Sequence, residues 1–353
     1  MKIDKSELAG KLAKLKAAIP GKGAFAGVEG VLIKENQATA YNLKIGIKTT
    51  LSVSSDDAPF ILCSKAIEMI NNLPDGEIEI TPDKNSINIV TSTIKNKFPL
   101  LDPSGFVEPN PLSDDGESLK ISSKKLSEMA SSVLYAAATN EAKPVYTGIL
   151  FEASDGELNV VAVDGYRLAW NKAEFEGDFK FIVPRSAMDK LLKIGMSGDI
   201  DISYHGNNAV FASEEYTVYV RLLTGGFLDY KKTVPKHEKE IVVSRKALLE
   251  SIGRILICSD DKLKPPAVLT FNAGKMVLST NTSTAIYSEE IEIHGAPDEK
   301  LRMGFNPVYM RDNIKAYDAE FVTMSFGNAL APIIMSDDML ITLCLPVRLK
   351  DNA

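Results

Sequence analysis

The sequence predicts an α+β protein made of three tandem, similar domains, each with two helices packed on one face of antiparallel sheet. Three observations carry that expectation. A pattern of short strand, polar cap and helix occurs three times, ending at Leu8 (KIDKSEL), Leu126 (KISSKKL) and Leu248 (VVSRKAL), with steps of 118 and 122 residues. A second pattern of strand, break, helix and alternating strand also occurs three times: ILCSKAIEMI before GEIEI, IVPRSAMDKLL before GDIDI, and MGFNPVYMRDNI before AEFVTM. Its equivalent residues Cys63, Pro184 and Phe305 are spaced 121 and 121 apart. Finally, 353 residues exceed what one hydrophobic core usually organises. The boundaries fall near 117 and 238, giving domains 1–117, 118–238 and 239–353.

Each repeat carries two helices. Leu8, Leu12, Leu15 and Ile19 recur at intervals of four, three and four, which places them on one helical face. Six helix segments follow from the two patterns, at 2–22, 61–73, 120–135, 184–195, 244–257 and 306–317. Between them, GILFEASDGELNVVAVD and PAVLTFNAGKMVLST read as strands folded back at Asp-Gly and Ala-Gly turns. The boundary segments FVEPNPLSDDGES and TVPKHEKE carry the proline, serine and charge of short linkers.

Composition restricts the function classes. With 45% hydrophobic and 25% charged residues, the chain has the balance of an ordinary globular protein. The N-terminal segment lacks the apolar run and cleavage site of a signal peptide, and no apolar stretch reaches the ~18 residues that cross a bilayer. A soluble cytoplasmic protein without a membrane partner is expected. Cys63, Cys258 and Cys344 are odd in number and far apart, as free buried thiols would be. The three histidines share no ligand spacing with them, so neither a metal nor another cofactor is expected.

A net charge of −7 argues against a nucleic-acid partner, but its distribution argues the other way. The six helix segments together carry +11, leaving −18 for the remainder. Equivalent helices facing one way would make a basic wall, with Lys11, Lys14, Lys16 and Lys22 as its densest cluster. Lys190, Lys193, Arg254, Arg311 and Lys315 lie on the later helices. Opposite the apolar stripe of the first helix stand Ala9, Gly10, Ala13 and Ala17, small residues that permit close approach. Taken singly, each lysine reads equally well as a solvated helix face. No base-reading motif accompanies them, so sequence-independent phosphate contact is the nucleic-acid mode this pattern supports. An enzyme is disfavoured, because nucleophile elbow, phosphate loop and dinucleotide fingerprint are all missing, and Asp164 with a histidine does not make a hydrolase.

The segment GILFEASDGELNVVAVDGYRLAW at 148–170, then FIVPRSAMDKLL, GGFLDYKKTVPK and the terminal LPVRL, resembles the β subunit of bacterial DNA polymerase III. The resemblance spans the chain, closely in the central domain and through period and pattern order in the outer two. It implies a DNA-clamp fold and a head-to-tail homodimer whose six domains form a ring around duplex DNA. Such a ring confers processivity on the replicative polymerase subunit and receives polymerase, clamp loader and repair proteins through short linear motifs. A clamp-fold interaction protein, plasmid- or phage-borne and not the main replicative clamp, is the alternative.

Carried over by position, the resemblance implies a peptide pocket of Val163, Gly165, Tyr166, Arg167, Leu168, Leu228, Lys232, Thr233, Pro332, Leu343, Leu345, Pro346, Val347, Arg348 and Leu349. Here Leu228, Lys232 and Val163 replace the family's frequent proline, arginine and threonine. The resemblance also aligns Lys22 and Asn140 with DNA-facing residues, and it sets Phe98 and Leu100 against Ile257 and Cys258 across the dimer interface. The segment PGKGAFAGVEG is where the first domain departs most from the family.

Overall fold

The computed structural model describes residues 1–20, 29–53, 58–112, 117–140, 142–258, 266–272, 274–295 and 301–349. Among them lie seven α-helices: α1 Lys5–Leu15, α2 Ser64–Asn72, α3 Ser123–Leu134, α4 Arg185–Ile194, α5 Tyr230–Thr233, α6 Arg245–Cys258 and α7 Pro307–Lys315. Six match the helices expected from sequence. The additional α5 is a single turn capped by Asp229, whose carboxylate accepts from the Lys232 N–H at 3.3 Å.

The internal repeat is visible in the strand register. In each repeat the strand before the first helix pairs antiparallel with the strand after the second. Ile3 faces Ile78, Ile121 faces Ile200, and Val243 faces Val322. All six side chains are buried, and the helix that follows begins with a turn whose fourth residue, Leu8, Leu126 or Leu248, is buried as well. The period therefore reflects one alternating strand and one amphipathic helix used three times.

A four-stranded unit also recurs. Its four strands run Gly30–Lys34, Gln37–Tyr41, Ile45–Thr50 and Phe60–Cys63 in the first repeat, and Gly148–Ser154, Glu157–Val163, Arg167–Glu174 and Phe179–Pro184 in the second. In the third they are Ala267–Asn272, Lys275–Asn281, Ile286–Gly295 and Arg302–Phe305. In every copy the fourth strand lies beside the first, in the order 4-1-2-3. The Asp155–Gly156 turn of the second copy has φ of 55° and 79°, the left-handed pair that a two-residue hairpin requires.

Sheets continue past both sequence boundaries. Tyr216–Arg221 pairs with Ile45–Thr50, giving an eight-stranded sheet. Leu340–Cys344 pairs with Arg167–Glu174, giving one of thirteen strands. By compactness the chain forms two units, residues 1–127 with 186–222 and residues 128–185 with 223–353.

The first helix is shorter than its periodicity predicts. It is capped by Asp4, which accepts from the N–H groups of Ser6 and Glu7 at 2.9 and 3.1 Å, and it ends at Leu15. A single 3₁₀ turn, Lys16–Ala18, follows. Ile19 is extended at ψ 129° and does not continue the helical stripe, because it precedes Pro20 and the proline ring disfavours helical backbone there. Ala18 is the buried side chain of that turn instead. All three cysteines are free. No described helix is long and apolar enough to cross a membrane.

Candidate functional site

An apolar groove of about 250 Å³ lies within the unit formed by 128–185 and 223–353. Its floor is a tight turn between two strands. Asp164 Oδ1 accepts from the N–H groups of Tyr166 and Arg167 at 2.8 and 3.0 Å, and the Asp164 N–H donates to the Arg167 carbonyl. Gly165, at φ 95°, occupies the left-handed position of this turn, which a side chain would strain although nothing crowds the space around it. The Leu345 N–H then donates to the Tyr166 carbonyl at 2.8 Å, bringing the end of strand Leu340–Cys344 alongside.

Val163, Leu168 and Leu343 form the buried floor and belong to a core cluster with Leu150, Val161, Ile182, Tyr230 and Ile334. Leu228 and Thr233 make one wall, with Thr233 held by α5. Leu345 is exposed, and Tyr166, 62% accessible, stacks on Tyr309 with ring centroids 6.2 Å apart. Lys143 and Tyr146 complete the lining. Tyr146 packs edge-on against Phe227 at 5.8 Å, and the Lys143 ammonium sits 5.0 Å from the Tyr146 ring.

Arg167 is the electrostatic anchor of the turn. Its Nε donates to Asp164 at 2.9 Å, one terminal nitrogen to Asp312 at 2.8 Å and the other to the Tyr135 carbonyl at 2.9 Å. Its guanidinium lies 4.6 Å from the Tyr309 ring centroid. Cys344 sits behind this cluster, and burial pushes its thiol up to about 12.

The structure gathers nine of the fifteen residues expected in the pocket: Val163, Gly165, Tyr166, Arg167, Leu168, Leu228, Thr233, Leu343 and Leu345. The other six do not line the groove. Lys232 is exposed and pairs with Asp229 at 2.7 Å, while the Pro332 carbonyl lies 3.0 Å from His237 Nε2. Pro346 and Val347 pair with Phe305 and Gly304 as an edge strand, Leu349 packs on the bare backbone of Gly304, and Arg348 is exposed. Sequence reasoning missed Lys143 and Tyr146. The available signal was PVYT before the GILF strand, where a proline and an aromatic open a 3₁₀ turn against the sheet.

The expected phosphate-contacting cations differ in availability. Lys16 and Lys315 are exposed, and Lys190 is half-buried with its pKa lowered by burial and by Lys44. Lys14 donates to the Lys193 carbonyl at 2.9 Å, and Lys193 pairs with Asp189 at 2.7 Å. Lys11 is held in the fold by Glu7 at 3.2 Å and by the Thr50 carbonyl. Arg254 grips Glu289 at 2.6 Å, and Arg311 grips Asp312 at 3.1 Å. Asn140 is exposed and caps its own turn at Ala142. Lys22 lies outside the described residues. Of the four expected interface residues, Ile257 is 83% exposed, whereas Phe98, Leu100 and Cys258 are half-buried.

Family models described as the central domain and the C-terminal domain of the DNA polymerase III beta subunit match residues 120–229 and 231–347. The chain is 27% identical over 322 residues to the beta sliding clamp of Halalkalibacterium halodurans, covering 87% of this chain and 84% of that one. It is 25% identical over 299 residues to the beta sliding clamp of Bacillus subtilis, covering 80% and 78%. A putative DNA polymerase III beta subunit from Eubacterium rectale superposes with a TM-score of 0.92 at 25% identity, over 98% of both chains. The Thermotoga maritima beta subunit gives 0.90 at 23% identity, over 99% of both.

Proposed function

The chain belongs to the DNA polymerase III beta-subunit family of non-catalytic sliding clamps, and from that premise we propose that two copies close head to tail around duplex DNA and tether the replicative polymerase to it. The observation that carries the ring is the way the repeats join. At each internal junction the last strand of one repeat pairs with the third strand of the repeat before it: Tyr216–Arg221 with Ile45–Thr50, then Leu340–Cys344 with Arg167–Glu174.

That rule leaves two strands over. Lys95–Pro99, the last strand of the first repeat, has a neighbour on one side only among the described residues. Ile286–Glu292, in the third strand of the third repeat, is likewise paired on one side. One edge offers Lys95 and Lys97, the other Glu290 and Glu292, two carboxylates that share the single ammonium of Lys275 at 3.2 and 3.4 Å, while Glu289 is held by Arg254. A second copy satisfies both edges, which is a heterologous contact that closes on itself. Ile257, Cys258, Phe98 and Leu100 supply the apolar part of that contact in this reading. The three-domain division at 117 and 238 is kept as the unit of the ring.

Encirclement replaces affinity by topology, so the weak and sequence-blind phosphate contacts of Lys14, Lys16, Lys22, Lys190, Lys193 and Lys315 suffice, with Asn140 beside them. Lys11, Arg254 and Arg311 add positive field while remaining tied to their carboxylates. Polymerase, clamp loader and repair proteins dock short linear motifs in the groove. Its volume is below the ~300–1,000 Å³ of small-molecule pockets and suits one or two apolar side chains. A docked polymerase then stays at high effective concentration near its template. This reading places the protein in the cytoplasm, with the DNA.

The test is retention on circular DNA. A dimer loaded on a nicked circle should survive a high-salt wash and leave once the circle is cut. Retention that ignores linearisation would overturn the ring. For the groove, Leu345→Ala should weaken a polymerase-derived peptide about tenfold, a loss of ~1.4 kcal/mol, with an unchanged melting temperature. Unaltered affinity would move the docking site elsewhere.

A further inference from the structure

The groove has a counterpart at the other internal junction, inside the unit formed by 1–127 and 186–222, and its chemistry differs. The turn Tyr41–Gly46 reproduces the main-chain hydrogen bonds of the turn Val163–Leu168. Asn42 Oδ1 accepts from the N–H groups of Lys44 and Ile45 at 3.1 and 3.0 Å, as Asp164 Oδ1 does from Tyr166 and Arg167. The Asn42 N–H donates to the Ile45 carbonyl, and the Arg221 N–H donates to the Lys44 carbonyl at 3.0 Å, as the Leu345 N–H does to that of Tyr166. A linker runs alongside both: Pro109–Leu112 here, Leu228 and Thr233 there.

These shared bonds set the equivalences. Tyr41 stands for Val163, Lys44 for Tyr166, Gly46 for Leu168, Tyr219 for Leu343 and Arg221 for Leu345. Four aliphatic residues of the groove have become two tyrosines, a glycine and an arginine, and its exposed tyrosine has become a lysine. Pro109 fills the space over Gly46, where an added Cβ would meet its ring carbons at 3.2 Å. What remains is a cavity of about 80 Å³. Asn110 and Asn208 add neutral polar groups to its wall.

An apolar anchor would gain little from so small and polar a space, and a cation would be repelled. Lys44 and Arg221 are both exposed, and among the described residues neither forms an ion pair. The nearby carboxylates have cations of their own: Glu108, close enough to act on Tyr219, pairs with Lys34 at 3.2 Å, and Asp189, beside Lys190, pairs with Lys193 at 2.7 Å. Two cations converging on one small cavity with polar walls match an oxyanion carrying more than one acceptor oxygen.

We propose that the cavity between Tyr41–Gly46 and Tyr219–Arg221 is a binding site for a phosphate oxyanion, with Lys44 and Arg221 as its charged ligands. Neither residue belongs to the cation set expected from the helices, and the site requires neither the ring nor the apolar groove. A terminal or backbone phosphate of nucleic acid and a free phosphate share this chemistry, and the experiment separates them.

Amide ¹H–¹⁵N spectra of the full chain are recorded during titration with sodium phosphate at constant ionic strength, and separately with a short DNA duplex. The amides of Lys44, Gly46, Asn208 and Arg221 report. At least one probe should produce saturable shifts there. The double variant Lys44→Ala, Arg221→Ala should weaken them tenfold or more, while Lys44→Arg with Arg221→Lys retains them and Leu345→Ala leaves them unchanged. Saturation by phosphate, with or without the duplex, supports a free-phosphate ligand. Saturation by duplex alone assigns the site to the DNA backbone, and the slope of log K against log salt should then fall by ~1–2 in the double variant. If neither probe saturates these amides, or the shifts survive the double substitution, the proposal is wrong. A melting curve of each variant shows whether the fold is intact; both native side chains are exposed, so no change is expected.

Discussion

Arg167 illustrates how much of one residue's work depends on the rest of the chain. The sequence resemblance places it in a peptide pocket, yet the structure turns Nε and both terminal nitrogens toward Asp164, Asp312 and the Tyr135 carbonyl. Its Asp164 and Asp312 partners are mostly buried, so removing the guanidinium would leave Asp164 without a counter-charge and Asp312 with Arg311 alone. Arg167→Ala should lower unfolding stability by ~3 kcal/mol in urea titration. Arg167→Lys should recover only part of that, because an ammonium cannot reproduce the planar fork. A second prediction concerns Cys344, whose thiol burial pushes up to about 12. It should resist alkylation at pH 8 in the native protein and label fully after unfolding, as read by intact mass. DGYRLA could be read from the sequence as a motif, but its partner Asp312 lies 145 residues away, and nothing local announces that contact.

At the scale of elements, the groove wall hangs on the turn α5. Tyr230 is buried and donates to Glu152 at 2.6 Å, and Lys180 donates to the same carboxylate at 2.6 Å. Burial opposes ionisation of Glu152, but the hydrogen bonds from Lys180 and Tyr230 outweigh it and hold the carboxyl below its ordinary range. A depressed carboxyl stabilises the fold above its unfolded pKa, and that contribution disappears as pH falls through the folded value. Lys180 is well exposed, so most of the effect belongs to Tyr230. Glu152→Gln should therefore cost ~1–2 kcal/mol at pH 7, with the gap to the native protein closing below pH ~4. Denaturant midpoints at pH 7 and pH 3.5 check it; an equal gap at both would contradict it. The helices were legible because their apolar positions keep a 3.6-residue rhythm. The end of α1 was legible too, in Pro20, but the leucine spacing through Ile19 obscured it. Turn α5 carries no amphipathic period in four residues, and the 3₁₀ turn holding Tyr146 is equally silent.

For the molecule as a whole, the recurrence of Leu8, Leu126 and Leu248 already fixed three copies of one design, and the paired registers Ile3–Ile78, Ile121–Ile200 and Val243–Val322 give that period its physical cause. Which strand would cross from one repeat to the next was not legible. Tyr216–Arg221 and Ile45–Thr50 are both good strands, and only three-dimensional packing selects their pairing. The leftover edges lead to a prediction at this scale. Reversing Lys95 and Lys97 to glutamate should weaken the dimer at least tenfold by analytical ultracentrifugation. Adding Glu290→Lys and Glu292→Lys should restore it, because like charges facing across a strand pair destabilise it and opposite ones do not. Failure of the compensating pair to rescue would show that these edges do not meet.

The turn that floors the groove is built three times, on Asp164, on Asn42 and, in the third repeat, on Thr282, whose hydroxyl accepts from the N–H groups of Thr284 and Ala285 at 3.2 and 2.9 Å. One side-chain oxygen and a few main-chain bonds define each frame, so the residues decorating it are free of the duty of holding it together. Lys44, Tyr166 and Arg221, all exposed, can be exchanged for other chemistries at little cost to the ladder beneath. The chain thus behaves as a rack of identical sockets whose fittings can be changed one at a time, and a new binding preference can be written into one socket without rewriting its neighbours.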